Sequence, residues 1–225
     1  MRLGQHFLRG SREASLIADA ARITGRDTVF ELGTGRGALT RELCRRAGRV
    51  ISVEADGRLA AEAARSMGAP NLELRHGDGV GAADEFDVFA SSIPYMRSRE
   101  IVEWLASLRF GRGALLVQRE FAEKIASPRR AIGVIASHAF SIEEAGRVDR
   151  SRFDPPPRVD SVVISITRRN VVRPAHARAI HGLFSYRRKT LRNVLGRFGV
   201  ESGREGRLED MGGDEIAGLA AGIAR

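Results

Sequence analysis

The chain has 225 residues, of which 43% are hydrophobic, and this length suits one α/β domain with a small appendage. Its formal net charge of +9 indicates a polyanionic partner, nucleic acid rather than a membrane. A genomic preference for arginine is an alternative cause of this charge, because Lys124 and Lys189 are the only lysines and all other basic residues are arginine. The single cysteine, Cys44, excludes an internal disulfide and a cysteine metal cluster, and we expect no bound metal. Because the sequence shows no signal peptide and no long apolar run, we expect a soluble, cytoplasmic protein without a membrane partner.

Short β-type runs alternate with helical patterns over the first two thirds of the chain. The predicted strands are 28–32, 50–53, 72–75, 86–91, 113–118 and 160–167, and the predicted helices are 12–22, 38–47, 57–66, 99–107 and 120–126. This alternation predicts a mostly parallel sheet with helices on both faces. The last strand follows Pro155-Pro156-Pro157 without an obvious crossover helix, so it is a candidate for an antiparallel addition.

The last quarter of the chain differs in charge. Residues 168–225 hold twelve basic and six acidic residues, and 168–199 hold nine basic residues and none that is acidic. This asymmetry favours RNA binding over codon bias alone. We predict a boundary near Arg168–Arg173 that separates a domain of residues 1–168 from a small helical domain of residues 169–225.

Within this tail we predict a helix with a basic face and an opposite apolar stripe. The basic residues, the candidate RNA contacts, are Arg187, Arg188, Lys189 and Arg192, and the apolar stripe is Phe184, Leu191, Val194, Leu195 and Phe198. A last short helix is predicted around Ile216, Leu219 and Ile223.

A glycine-rich loop follows the first predicted strand and opens a helix, in the sequence Glu31-Leu32-Gly33-Thr34-Gly35-Arg36-Gly37. Such glycines allow a tight turn and let a ligand lie against the backbone. The spacing G-x-G-x-G differs from the dinucleotide pattern G-x-G-x-x-G, which disfavours a nicotinamide dehydrogenase. Glu31 ends the strand before the loop, where it is placed to meet a cationic methionine moiety.

Two further acidic residues follow the next two strands. Glu54 lies about twenty residues beyond the loop, the spacing of a ribose-binding carboxylate, and Asp78 is placed to bind an adenine amino group. Each acid alone is most simply a solvated strand-end residue. Three of them at successive strand ends favour a ligand site.

Residues Ser91-Ser92-Ile93-Pro94-Tyr95 follow the fourth strand and border the crevice where such folds bind ligands. With them, the chain resembles the ribosomal RNA adenine dimethyltransferase family, which includes small-subunit enzymes and large-subunit antibiotic-resistance enzymes. The resemblance runs nearly end to end and is carried by the glycine loop, Glu54, Ile93-Pro94-Tyr95 and the blocks Gly4-Gln5-His6-Phe7-Leu8, Gly77-Asp78, Gln118-Arg119-Glu120, 153–161 and 184–193. The last two blocks are more similar to the small-subunit enzymes.

The resemblance implies a Rossmann-like class I methyltransferase with a mostly parallel seven-stranded sheet and a shortened carboxyl-terminal helical domain. The implied activity is N6-dimethylation of adenines in small-subunit ribosomal RNA, with S-adenosylmethionine as cofactor. The implied partner is ribosomal RNA or a small-subunit precursor, and we expect a monomer.

The resemblance also implies residue roles. His6 and Leu8 would close over the cofactor, Gly33 would approach its methionine, Glu54 its ribose and Asp78 its adenine. The remaining candidate cofactor contacts are Glu31, Gly35, Ala55, Gly79 and Ser92. At the target base, Tyr95 and Phe153 would stack on the two faces of a flipped adenine, while the side chain at position 92 and the Pro94 carbonyl would accept hydrogen bonds from its amino group and align it.

The chain departs from the family at Ser92, where the family has asparagine. A serine hydroxyl accepts a hydrogen bond but lacks the fixed geometry of an amide. We expect an active enzyme. The alternatives are a ribosome-assembly factor with weak or lost activity, a large-subunit resistance methyltransferase and, last, a dehydrogenase.

Overall fold

A computed structural model describes residues 6–82, 84–200 and 205–224 of the chain. Gly4 and Gln5, which belong to the first block of the predicted motif, lie outside these ranges. The chain divides into two compact units. The first unit comprises the described residues of Met1–Ile101, Arg109–Ala122 and Ile142–Arg168, and the second those of Val102–Leu108, Glu123–Ser141 and Arg169–Arg225.

Strands and helices alternate as the sequence predicts. The strands are β1 (Phe7–Leu8), β2 (Thr28–Leu32), β3 (Arg49–Glu54), β4 (Leu72–His76), β5 (Val88–Ser92), β6 (Arg112–Gln118), β7 (Phe140–Val148), β8 (Phe153–Asp154) and β9 (Ser161–Arg168). The helices are α1 (Ser11–Ala20), α2 (Ala38–Arg46), α3 (Gly57–Ser66), α4 (Ser98–Ser107), α5 (Arg119–Ile125), α6 (Ala131–Ala139), α7 (Pro174–Ser185), α8 (Leu191–Gly196) and α9 (Gly213–Ile223). Each strand and helix predicted up to residue 168 is confirmed, with its ends within two residues of the prediction.

Seven strands form one sheet in the order β4-β3-β2-β5-β6-β9-β7. Strands β4, β3, β2, β5 and β6 pair in parallel, and β9 pairs antiparallel with β6, which confirms the predicted antiparallel addition. Two very short strands, β1 and β8, form a separate antiparallel pair. The predicted fold class, a mostly parallel seven-stranded sheet in an α/β protein, is confirmed.

The core of the first unit lies against the middle of this sheet. Strand β2 is buried from Val29 to Leu32, as expected of a central strand in a parallel sheet. Helices α1 and α2 bury Ala14, Ile17, Leu39 and Leu43, residues three or four apart that form one face of each helix. Apolar burial of this kind holds the strand ends at fixed positions.

The second unit contains a group of packed helices, α6, α7 and α9. Its members bury Val134 and Ile135 from α6, Ile180 and Leu183 from α7 and Ile216 from α9. Helix α6 was not among the predicted elements, since its sequence is apolar on every side and short, a pattern that does not distinguish a buried helix from a strand. The predicted helical tail and last short helix are confirmed.

The predicted basic helix face is wrong in its detail. Helix α7 ends at Ser185, and residues 187–189 lie in the turn before α8 begins at Leu191, so only Arg192 of the four basic candidates lies on a helix. The turn is closed by a hydrogen bond from the Lys189 N–H to the Tyr186 carbonyl at 2.8 Å. The apolar stripe survives in α8, where Leu191, Val194 and Leu195 are buried.

The close approach of β5 and β6 depends on Gly113. A Cβ atom at this position would lie 2.4 Å from the Phe89 carbonyl oxygen, and Gly111 is a matched control, because a Cβ there would meet the Asp87 carbonyl oxygen at an ordinary 3.5 Å. We expect Gly113→Ala to lower the free energy of unfolding by about 2–3 kcal/mol, since the strands must separate, and Gly111→Ala to change it by less than about 0.5 kcal/mol. Urea unfolding measures both, and equal effects of the two substitutions would contradict this explanation.

Candidate functional site

The carboxyl ends of β2, β3, β4 and β5 meet at one edge of the parallel sheet. The Gly33 N–H donates to the Val53 carbonyl at 2.8 Å, and the Gly77 N–H donates to the Glu54 carbonyl at 2.9 Å. The Ser91 hydroxyl donates to the Leu32 carbonyl at 2.5 Å. These bonds tie the carboxyl ends of the four strands to one another, at the edge where open α/β sheets bind their ligands.

The glycine loop leaves open space above its first glycine. Gly33 and Gly35 have φ values of 86° and 54°, a backbone region that other residues rarely adopt. A Cβ atom on Gly33 would find no atom within 4 Å, whereas one on Gly35 would lie 3.1 Å from the Phe7 ring. The loop therefore has an open side at Gly33 and a side covered by β1 at Gly35.

Glu54 is buried at the end of β3 with both carboxylate oxygens engaged. Oε2 accepts from the Gly35 N–H at 2.8 Å and Oε1 accepts from the Asp56 N–H at 2.9 Å. Asp56 caps α3 by accepting from the N–H groups of Arg58 and Leu59. Each Glu54 oxygen keeps one further lone pair, so this carboxylate can accept two hydroxyl groups without moving. Ala55, beside it, is exposed.

Glu31 lies under the loop, with 0% of its surface exposed. Its Oε2 accepts from the Thr40 hydroxyl at 2.7 Å and the Ser52 hydroxyl at 2.6 Å, while Oε1 is buried and has no hydrogen-bond partner among the described residues. Burial raises the pKa of Glu31 to about 8, against the smaller opposing effect of these hydroxyl groups. Glu31 therefore joins α2 to β3, and only its unpartnered oxygen is left for a ligand.

Asp78 is exposed in the turn after β4 and is held by an arginine from another loop. Arg97 donates from Nη1 to Oδ1 and from Nη2 to Oδ2, each at 2.9 Å. This guanidinium lowers the pKa of the Asp78 carboxyl, which stays ionised. The neighbouring Gly79 is buried and packs so closely that a Cβ atom there would lie 2.5 Å from Leu32 Cδ1.

The residues predicted to hold a target base lie directly after β5. Ser92 ends the strand half-buried, and within the described ranges its hydroxyl makes no hydrogen bond. The Pro94 carbonyl accepts from the Arg97 N–H at 3.0 Å, and Ser98 Oγ lies closer to the Tyr95 carbonyl, at 3.0 Å, than to that of Pro94, at 3.4 Å. Both predicted acceptors thus retain a free lone pair.

Tyr95 is fixed by two neighbours. Its hydroxyl bonds with the Ser161 hydroxyl at 2.6 Å, and its ring stacks on His6 with centroids 5.7 Å apart. His6 Nδ1 lies 2.8 Å from the Pro155 carbonyl oxygen. His6 therefore lies beside the target-base residues, whereas Leu8, also predicted to cover the cofactor, packs on the core.

Phe153 does not face the open crevice. Its ring is 1% exposed and packs in the apolar core, so in this conformation no base can stack on it. The expectation that Phe153 covers one face of the base is corrected, because its strand β8 pairs with β1 and turns the ring inward. The ring that lies against Tyr95 instead is that of His6.

The roles of two residues of the site, Phe7 and Arg97, are not predicted by the sequence. Phe7 covers Gly35 and lies with its ring centroid 4.6 Å from the Arg36 guanidinium, and Arg36 in turn bonds Asp154 at 2.6 Å. Arg97 bonds Asp78 in the loop after β4. Contacts between separate loops leave no local pattern in the sequence.

The predicted RNA contacts of the tail are all exposed. Arg187, Arg188, Lys189 and Arg192 make no ion pair within the described part of the chain. No carboxylate of the described residues pairs with them, so the four side chains are available to phosphate groups.

None of the helices in residues 6–82, 84–200 and 205–224 has the length and apolar character needed to cross a membrane.

The residues at this edge of the sheet fit the predicted cofactor. Gly33 leaves a cradle that a side chain would fill, Glu54 offers two lone pairs to hydroxyl groups, and Glu31 has a buried oxygen that no described residue bonds. Glu54, Gly33, Asp78 and Glu31 are the residues that would hold it.

Comparison with known proteins gives consistent matches. The model of the family described as ribosomal RNA adenine dimethylase matches residues 1–215. The ribosomal RNA small subunit methyltransferase A of Thermotoga neapolitana is 36% identical over 232 aligned positions, covering 96% of this chain and 88% of the relative. A dimethyladenosine transferase of Plasmodium falciparum superposes with a TM-score of 0.81 at 25% identity, over 95% of this chain and 96% of the other. The 23S rRNA methyltransferase ErmE gives a TM-score of 0.70 at 28% identity, over 97% of this chain and 100% of the other.

The buried Glu31 makes stability depend on pH. Its pKa of about 8 in the folded chain lies above the ordinary value of 4.5, so the folded state binds more protons between these values and stability falls as pH rises through them. Glu31→Gln cannot titrate and keeps an acceptor for Thr40 and Ser52. We expect the variant to gain stability relative to the wild type from pH 5 to pH 8, measured as urea midpoints, and a difference that is independent of pH would contradict the raised pKa.

Proposed function

Because this chain belongs to the ribosomal RNA adenine dimethylase family, we propose that it uses S-adenosylmethionine to dimethylate N6 of adenines in small-subunit ribosomal RNA. The observation that carries this proposal is the set of acceptors at adjacent strand ends, from Glu54 and Asp78 to Ser92 and Pro94. We further propose that the protein acts in the cytoplasm as a monomer.

The cofactor, when bound, supplies a methyl group that is already electrophilic. Glu54 would accept hydrogen bonds from the ribose hydroxyls with the two lone pairs that its backbone contacts leave free. Asp78, ionised, would accept from the adenine amino group. Gly33 would let the methionine portion lie against the backbone.

The remaining difficulty is the nucleophile, because the lone pair of an adenine amino nitrogen is delocalised into the ring. The Ser92 hydroxyl and the Pro94 carbonyl would accept its two N–H groups and turn the lone pair toward the methyl carbon, which is a positioning effect. Tyr95, held by Ser161, would stack on the flipped base, which contributes about 1–3 kcal/mol. His6 stacks on Tyr95 in this structure, so the base would displace it or share the ring.

A small-subunit substrate is favoured over a large-subunit one. Both classes are represented among the similar proteins. The blocks 153–161 and 184–193 resemble the small-subunit enzymes, and the small-subunit relative is 36% identical to this chain, whereas ErmE is 28% identical. The exposed basic cluster at 187–192 suits the phosphate backbone of such an RNA.

Catalysis is tested by transfer of labelled methyl groups from S-adenosylmethionine to undermethylated small ribosomal subunits. We expect the wild type to form dimethyladenosine, and Ser92→Ala, which removes one acceptor, to lower kcat about 100-fold. Ser92→Asn should stay active. A silent wild type beside an active Ser92→Asn would identify a binding factor that lost catalysis at one residue, and full activity of Ser92→Ala would refute the role of the hydroxyl.

RNA contact by the tail is tested by charge reversal. We expect the double variant Arg188→Glu, Arg192→Glu to weaken RNA binding and to reduce the slope of its salt dependence by about 2, one for each lost phosphate contact. The double variant Arg26→Glu, Arg65→Glu, at two exposed positions of the first unit, is the control for the same change of net charge. Filter binding at several salt concentrations measures this, and an unchanged slope in the double variant argues against contact at 188 and 192.

A further inference from the structure

Arg97 lies at the junction of two parts of the site. It ends the single 3₁₀ turn Tyr95–Arg97 that begins after Pro94, and its N–H closes that turn on the Pro94 carbonyl at 3.0 Å. Its side chain leaves this turn and reaches Asp78, in the loop after β4. One residue thus connects the loop predicted to hold the target base with the carboxylate predicted to hold the cofactor's adenine.

The guanidinium is held by two carboxylates. Nη1 and Nη2 donate to the two oxygens of Asp78 at 2.9 Å, while Nε and Nη2 donate to the two oxygens of Glu100 at 2.8 and 2.9 Å. Both contacts are bidentate, the geometry that fixes the plane of a carboxylate as well as its distance. The pKa values of Asp78 and Glu100 are both lowered by Arg97.

The remaining acceptor capacity of Asp78 is small and directed. Oδ1 accepts from Arg97 and from the Val80 N–H at 3.1 Å, which uses both of its lone pairs. Oδ2 accepts from Arg97 alone, so one lone pair is left. A single remaining acceptor matches a single N–H of an aromatic amino group.

We propose that Arg97 is a positioning residue for the cofactor, one that holds Asp78 so that its single free lone pair meets the 6-amino group of the adenine ring. This inference rests on the proposed function, since it takes Asp78 to contact the adenine. Arg97 acts through Asp78 and does not contact the reacting atoms. Its removal therefore weakens recognition of the amino group, and not of the rest of the cofactor.

The test compares two ligands by calorimetry: S-adenosylhomocysteine and its analogue with hydrogen in place of the 6-amino group. We expect Arg97→Ala to bind S-adenosylhomocysteine about tenfold more weakly than the wild type, because the carboxylate loses charge-assisted bonds. The analogue has no donor for Asp78, so the two proteins should bind it alike. Arg97→Lys, which keeps the charge but lacks the fork, should fall between them.

Arg147→Ala is the matched control. Arg147 is an exposed arginine of β7 that bonds Glu144 through Nε at 3.0 Å, three residues away, as Arg97 bonds Glu100. This variant should bind both ligands like the wild type. In turnover, Arg97→Ala should raise KM for S-adenosylmethionine and leave kcat at saturation within about twofold, the pattern of lost uniform binding.

A double-mutant cycle separates positioning from general damage. In an Asp78→Ala background, Arg97→Ala should cause no further loss of affinity for S-adenosylhomocysteine. Three results would each overturn the inference: equal losses for both ligands in Arg97→Ala, an unchanged affinity of Arg97→Ala for S-adenosylhomocysteine, or a further loss in the Asp78→Ala background. In each case binding of S-adenosylhomocysteine by the wild type would leave the proposed function standing. A wild type that binds neither ligand would overturn both.

Discussion

The parallel pairing of β2 with β3 and β5 is the constraint on which the rest of the site depends. Parallel strands put all their carboxyl ends at one edge, so loops that are far apart in the chain begin within hydrogen-bond reach of one another. Here the closeness is made specific by short bonds, such as that from the Gly35 N–H to Glu54. A shift of one residue in the register of β3 would turn Glu54 to the other face of the sheet.

Charge at this edge is arranged in two different ways. Glu31 is buried, its pKa is raised to about 8, and it accepts hydrogen bonds from the Thr40 and Ser52 hydroxyl groups. Asp78, at the surface, is kept ionised by a bidentate arginine. The two carboxyl groups look alike in the sequence, each near the carboxyl end of a β-strand. Burial joins Glu31 to the fold through α2 and β3, whereas Asp78 stays at the surface.

The two short strands β1 and β8 alter the expected site. Their pairing brings the amino-terminal arm to residues 153–155, so that His6 stacks on Tyr95 and Phe7 covers the glycine loop. The same pairing turns Phe153 into the core. The predicted target-base side of the site thus contains an aromatic pair, His6 and Tyr95, that joins the amino-terminal arm to the loop after β5.

The sequence by itself determined the element order apart from β1, α6, β7 and β8, which were not predicted. It also determined the parallel sheet with its antiparallel addition and the strand-end positions of Glu31, Glu54, Asp78 and Ser92, because local periodicity and turn residues act over a few neighbours. It also determined the basic character of the tail. Only the tertiary structure decided which carboxylate is buried, that residues 187–189 form a turn, that Phe153 is a core residue and that Arg97 holds Asp78. Those outcomes depend on contacts between residues that are distant in the chain, and such contacts produce no local periodicity from which they could be predicted.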